Sequence, residues 1–139
     1  MSPGRRAARR SALFLLYQWD VTGQPLGDLY EGEIDPFARE TAERVVECAG
    51  ELDRRITEAS AGWSADRLGA VERNILRIAI SELDGRTVPV EVAIDEAVRL
   101  AKRYASEDAA RLVNGILGRI AREGVSAGSP AGAEAEGRS

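Results

Sequence analysis

With 139 residues, one cysteine and no histidine, the chain has the length of a single domain and lacks the usual side chains for transition-metal sites and histidine-based acid–base or triad chemistry. Cys48 cannot form an internal bridge alone, which fits a reducing compartment. The formal net charge of −4 is uneven: every Asp and Glu lies at or after Asp20, whereas Arg5, Arg6, Arg9 and Arg10 precede it, so a basic head on an acidic body points to one localised anion-binding site.

The chain opens with arginines followed by an apolar stretch, Ala12 to Tyr17. That stretch is shorter than the ~7–15 residues of a secretory signal and is followed by no small-residue cleavage site. No apolar run approaches the ~20 residues of a membrane span. A cytoplasmic, unprocessed protein is expected.

Helical periodicity recurs along the chain, and strand-type alternation does not. The first helix is expected to begin near Pro3 to Arg5 and to end before Gly23. Thr22 to Ile34, with three glycines and Pro25, reads as a loop. Asp35 and Pro36 form an N-cap and N1 pair that opens the next helix, which is expected to break at Gly50 and resume from Glu51 to Ala61. Trp63 begins a linker. An amphipathic helix from about Arg67 to Leu83 carries Leu68, Val71, Ile75, Ile78, Ala79 and Leu83 at the spacing of one buried face.

Asp84–Gly85 should end that helix, and Pro89 should introduce the next, with Ala93, Ala97, Leu100, Ala101 and Tyr104 along one stripe. Ser106 caps a last helix whose core face is Leu112, Val113, Ile116, Leu117 and Ile120 and whose stop is Gly124. The sequence therefore predicts an all-α compact bundle of six or seven helices over residues 1–124, followed by a disordered acidic tail at 125–139, rich in Gly, Ala and Ser.

The side chains that could carry chemistry are few. At 100° per residue, Arg5, Arg6, Arg9 and Arg10 span an arc of about 140°, and Tyr17 falls in the sector of Arg6 and Arg10. Guanidinium groups beside an aromatic ring suit phosphates and unpaired bases. Periodicity alone equally allows a solvated helix end with Tyr17 in the core. Glu72, Arg73, Arg77 and Glu82 lie partly off the apolar face of their helix, where charges usually form a salt-bridged exterior. Gly115 sits inside a helical pattern, explained either by a close neighbour or by a kink. No phosphate loop, dinucleotide fingerprint, nucleophile elbow or supported carboxylate pair appears, so an enzyme is not expected, nor any cofactor or catalytic residue.

Four segments carry a resemblance: RRAARRSALFLLYQWD (5–20), VERNILRIAISEL (71–83), PVEVAIDEAVRLAKRY (89–104) and EDAARLVNGIL (107–117). In this order they resemble the NusB family of transcription antitermination factors. The resemblance implies an all-helical fold that binds single-stranded boxA RNA of nascent ribosomal-RNA transcripts. It acts with NusE, a small-subunit ribosomal protein, on elongating RNA polymerase, and some members self-associate as homodimers. It places RNA contacts on Arg5, Arg6, Arg9, Arg10, Tyr17, Glu72, Arg77, Tyr104 and Asp108. Phosphate contacts fall to the arginines, stacking to Tyr17 and Tyr104, and base-edge acceptance to Glu72 or Asp108. The alternative is an adaptor that binds mainly NusE, with weak RNA affinity of its own. The chain departs from the family's frequent residues at Leu112 (Phe), Asp95 (Asn), Arg99 (Glu) and Gly118 (Asp).

Overall fold

The computed structural model describes residues 3–62, 64–86 and 88–127. Their elements are six α-helices and two short 3₁₀ turns: α1 (Pro3–Thr22), α2 (Pro36–Glu47), α3 (Ala49–Ala59), α4 (Ala70–Gly85), α5 (Val90–Tyr104) and α6 (Glu107–Ala127), with 3₁₀ turns at Leu26–Leu29 and Ala65–Arg67. No strand occurs among the described residues, and none of the helices is long and apolar enough to cross a membrane.

Local chemistry accounts for most boundaries. Gly23 takes a left-handed φ of 75° just past α1 and its N–H returns to the Trp19 carbonyl at 2.9 Å, satisfying an end-of-helix acceptor. The Asp35 carboxylate accepts from the N–H groups of Phe37 and Ala38, with Pro36 behind it, as a capped helix start requires. Ser106 Oγ accepts from Ala109 N at 3.0 Å and opens α6.

Three expected boundaries move. The break between α2 and α3 falls at Cys48, and Gly50 lies inside α3. The start of the fourth helix shifts from Arg67 to Ala70, because Ala65–Arg67 closes as a separate 3₁₀ turn. Gly124 does not stop α6, which runs to Ala127. Of the expected disordered tail, residues 128–139 lie outside the described residues, as does Trp63.

The larger correction concerns α4. Nine consecutive residues, Asn74 to Glu82, are buried, and α4 packs against α1, α2, α3, α5 and α6. It is the axis of the bundle rather than a surface helix with one apolar face. Ile75, Leu76, Ile78 and Ile80 meet Leu13 and Leu16 of α1, Ile56 of α3, and Val113 and Leu117 of α6 in one core. Leu112, expected in that core, is 39% exposed.

Gly115 also resolves. A Cβ there would meet nothing within 4 Å, so no packed neighbour of the described fold requires the glycine. Gly115→Ala should therefore stabilise the protein by about 1 kcal/mol through helix propensity alone, read as a higher urea midpoint at unchanged slope.

Candidate nucleic-acid interface

A helix that is buried all round must neutralise its own polar groups, and this requirement organises the charged residues. Arg77, buried at the centre of α4, donates to both carboxylate oxygens of Asp53 at 2.8 and 2.7 Å, to Asp20 at 3.1 Å and to Asn74 Oδ1 at 2.8 Å. Arg73 and Asn74 donate to the same Asp20 carboxylate, each at 2.9 Å. Burial raises the Asp20 pKa, but the hydrogen bonds from Arg73 and Asn74 and the charges of Arg77 and Arg73 outweigh it, leaving the carboxyl below its ordinary 3.8. A depressed carboxylate contributes stability that is present above its unfolded pKa and lost as the pH falls through its folded value. Urea midpoints should therefore fall below about pH 4 in the parent protein, and Asp20→Asn should lower the neutral-pH midpoint and flatten that acid limb.

The four N-terminal arginines share no single surface. Arg9 is 1% exposed, and its Nε donates to Glu82 of α4 at 2.8 Å. Burial pushes the Glu82 carboxyl above its ordinary value, further than Arg9 draws it down. The Arg5 guanidinium lies 4.1 Å above the Phe37 ring, toward α2. Arg6 and Arg10 face the other way, into a groove of about 810 Å³ between α1 and α5. The arc of about 140° is the reason: Arg9 falls within it on the sector of Ala12, Leu13 and Leu16, which α1 buries, with Arg5 to one side and Arg6 and Arg10 to the other.

Arg6, Arg10, Arg99, Lys102 and Arg103 line this groove beside Tyr104. Two carboxylates, Asp95 and Glu96, share it, and Glu96 is tied to Arg6 at 3.1 Å and to Arg99 at 3.8 Å. Arg9 reaches the groove from below with its charge matched by Glu82. The rest leave three net positive charges on one face of a molecule whose total is −4. Such a cleft concentrates polyanions at its walls.

Of the expected RNA contacts, the groove gathers Arg6, Arg9, Arg10 and Tyr104, while Tyr17, 42% exposed, sits further along α1. Arg9 and Arg77, expected on an exposed face, are both buried. Arg9 is enclosed in a buried ion pair with Glu82, and Arg77, itself buried, is tied to the partly exposed Asp53 and Asp20; both hold the fold rather than facing solvent. Glu72 occupies the first turn of α4 and folds its carboxylate back over Gly69, 2.7 Å from where a Cβ there would lie. Asp108 is exposed in the first turn of α6, paired with Arg111. Neither carboxylate lines the groove.

Sequence reasoning missed Arg99, Lys102 and Arg103 as site residues. A signal was present: they recur at i, i+3 and i+4, opposite the buried stripe of α5. Phe14, which the sequence did not single out, is 46% exposed.

The profile of the NusB family matches residues 6–122. The chain belongs to the NusB family. It is 39% identical over 130 residues to the transcription antitermination protein NusB of Solibacter usitatus, covering 86% of this chain and 89% of that one. It is 42% identical over 120 residues to the protein of the same name from Rubrobacter xylanophilus, covering 81% and 86%. Its fold matches a chain in the crystal structure of the antitermination factors NusB and NusE in complex with double-stranded RNA, with a TM-score of 0.78 and 32% identity over 89% of this chain and 100% of that one. The relatives it matches are named for transcription antitermination and not for an enzymatic activity.

Proposed function

We propose that this NusB-family protein is a cytoplasmic transcription antitermination factor that holds single-stranded boxA RNA of nascent ribosomal-RNA transcripts in the α1–α5 groove. It presents that RNA, together with NusE, to elongating RNA polymerase. The observation that carries the reading is the concentration of cations from two helices on one face of an acidic protein. Arginine forks bind phosphate oxygens bidentately, and an aromatic edge beside them gives unpaired bases a surface. The NusE- and RNA-bound structure of a related chain supports the choice of partners.

Within this reading the phosphate contacts fall to Arg6 and Arg10, joined by Arg99, Lys102 and Arg103 of α5. Arg5 is a contact on the flank. Tyr17 and Tyr104 offer stacking faces, and Glu72 and Asp108 remain base-edge acceptors only for RNA that leaves the groove. A second reading, an adaptor for NusE with weak RNA affinity, is favoured by the withdrawal of Arg9 and Arg77 into ion pairs.

Binding of boxA RNA and of a scrambled strand, each with and without NusE across a salt series, separates the two. The RNA reading expects preference for boxA, strengthening with NusE, and a log–log salt slope of about −0.7 per phosphate contact. Equal affinity for both strands under every condition would transfer the function to the adaptor.

A further inference from the structure

Phe14 has no expected role and no burial to explain it. The residue is 46% exposed, one turn beyond Arg10 on the solvent face of α1, and its ring meets Tyr104 edge to face with centroids 5.3 Å apart and planes at 85°. Tyr104 is half-buried, and its hydroxyl accepts from Arg103 Nε at 3.1 Å, with the guanidinium 5.4 Å from the ring centroid. Tyr104 packs against the core, which steadies its ring, and much of Phe14 is left uncovered.

We propose that Phe14, braced by Tyr104, is a stacking step that receives one unpaired base of the strand lying in the α1–α5 groove. The proposal rests on the RNA reading and adds to it the feature that distinguishes single strands from duplexes. Arg6, Arg10 and Phe14 follow one another at four-residue intervals, about 6 Å apart along the helix axis. A backbone tracked by the first two therefore brings its next base to the third. A base within a duplex has both faces covered by its neighbours and gains nothing from the ring, whereas an unpaired base does.

The surroundings favour a base over a protein partner. Phe14 is flanked by Arg10 and, through Tyr104, by Arg103. Cations interleaved with aromatic rings characterise single-strand platforms, while the centres of protein interfaces are depleted of charge.

The test uses the full chain and a short single-stranded RNA carrying the fluorescent base 2-aminopurine at successive positions, whose emission is quenched on stacking. The parent protein should quench one position strongly. Phe14→Leu keeps an apolar side chain on an exposed site, so the fold should be retained, as a thermal melt will verify. It should lose that quench and roughly tenfold in affinity at an unchanged salt slope. Phe14→Tyr should restore both, and binding to the annealed duplex should be indifferent to either variant. Arg10→Ala should do the reverse, reducing the salt slope and keeping the quench.

Unaltered quench and affinity in Phe14→Leu would overturn the stacking step and leave the groove standing as an RNA site. Unaltered RNA binding with weakened NusE binding or self-association would overturn it in favour of a protein surface. Absence of salt-dependent binding by the parent protein would remove the RNA reading and the step together.

Discussion

Arg9→Ala should destabilise the protein by about 3–5 kcal/mol, whereas Arg10→Ala, one residue along, should change stability by less than about 0.5 kcal/mol. The two arginines look interchangeable in sequence but occupy opposite environments. Arg9 and Glu82 have side chains only 2% and 3% exposed, joined at 2.8 Å. Removing the guanidinium leaves a carboxylate in the core with no equivalent partner, and the cost is that of an uncompensated buried group rather than of one lost contact. A double variant, Arg9→Met with Glu82→Leu, removes both charges together and should recover most of the loss.

Urea unfolding of the four proteins provides the comparison. Equal midpoints for Arg9→Ala and Arg10→Ala would show that the pair does not hold the helix. A drop in RNA affinity in Arg9→Ala therefore reports on RNA contact only after the folded fraction has been measured.

Reversing three charges at once, Arg99→Glu with Lys102→Glu and Arg103→Glu, should weaken single-stranded RNA binding by about a hundredfold near 0.1 M salt, because each phosphate contact is largely electrostatic. The groove would change from three net positive charges to three net negative ones. All three side chains are exposed on α5, and Arg99 has only a 3.8 Å contact with Glu96, so the melting temperature should hold within a few degrees. The residual binding should show a flatter salt dependence. Undiminished affinity would exclude the α5 wall from the RNA path and confine the site to α1.

How far the sequence was legible depends on the distance over which each feature is determined. Caps at Asp35 and Ser106 and the stop at Gly23 are settled within a few residues and were readable from them. The four matching segments were enough to identify the fold. What escaped was set by contacts distant in sequence. Arg9 is buried because Glu82 lies 73 residues later, and Arg77 because Asp20 and Asp53 converge on it from two other helices.

A periodic pattern gives the angle between side chains on one helix but not which neighbours that helix receives. For that reason Arg6 and Arg9 could not be assigned to different surfaces, nor the cations of α5 set against α1. Leu112 erred in the same way: an apolar residue adjoining the buried stripe of α6 was counted within it, although that edge faces solvent.

The burial of α4 on every side bears on how the molecule opens. A surface helix can detach and expose its amides to solvent while the remainder stays folded. The amides of Ile75 to Ile80 have no such route, since α1, α2, α3, α5 and α6 all pack on the helix that holds them. Their deuterium uptake is limited by global opening, and their protection reports the full free energy of unfolding. The last turns of α6 and the N-terminal turn of α1 should instead exchange through local fraying. Only the turn of α1 that precedes Ala8 and Arg9 can loosen by itself, because Arg9 ties the rest to a helix that is released only with the whole fold.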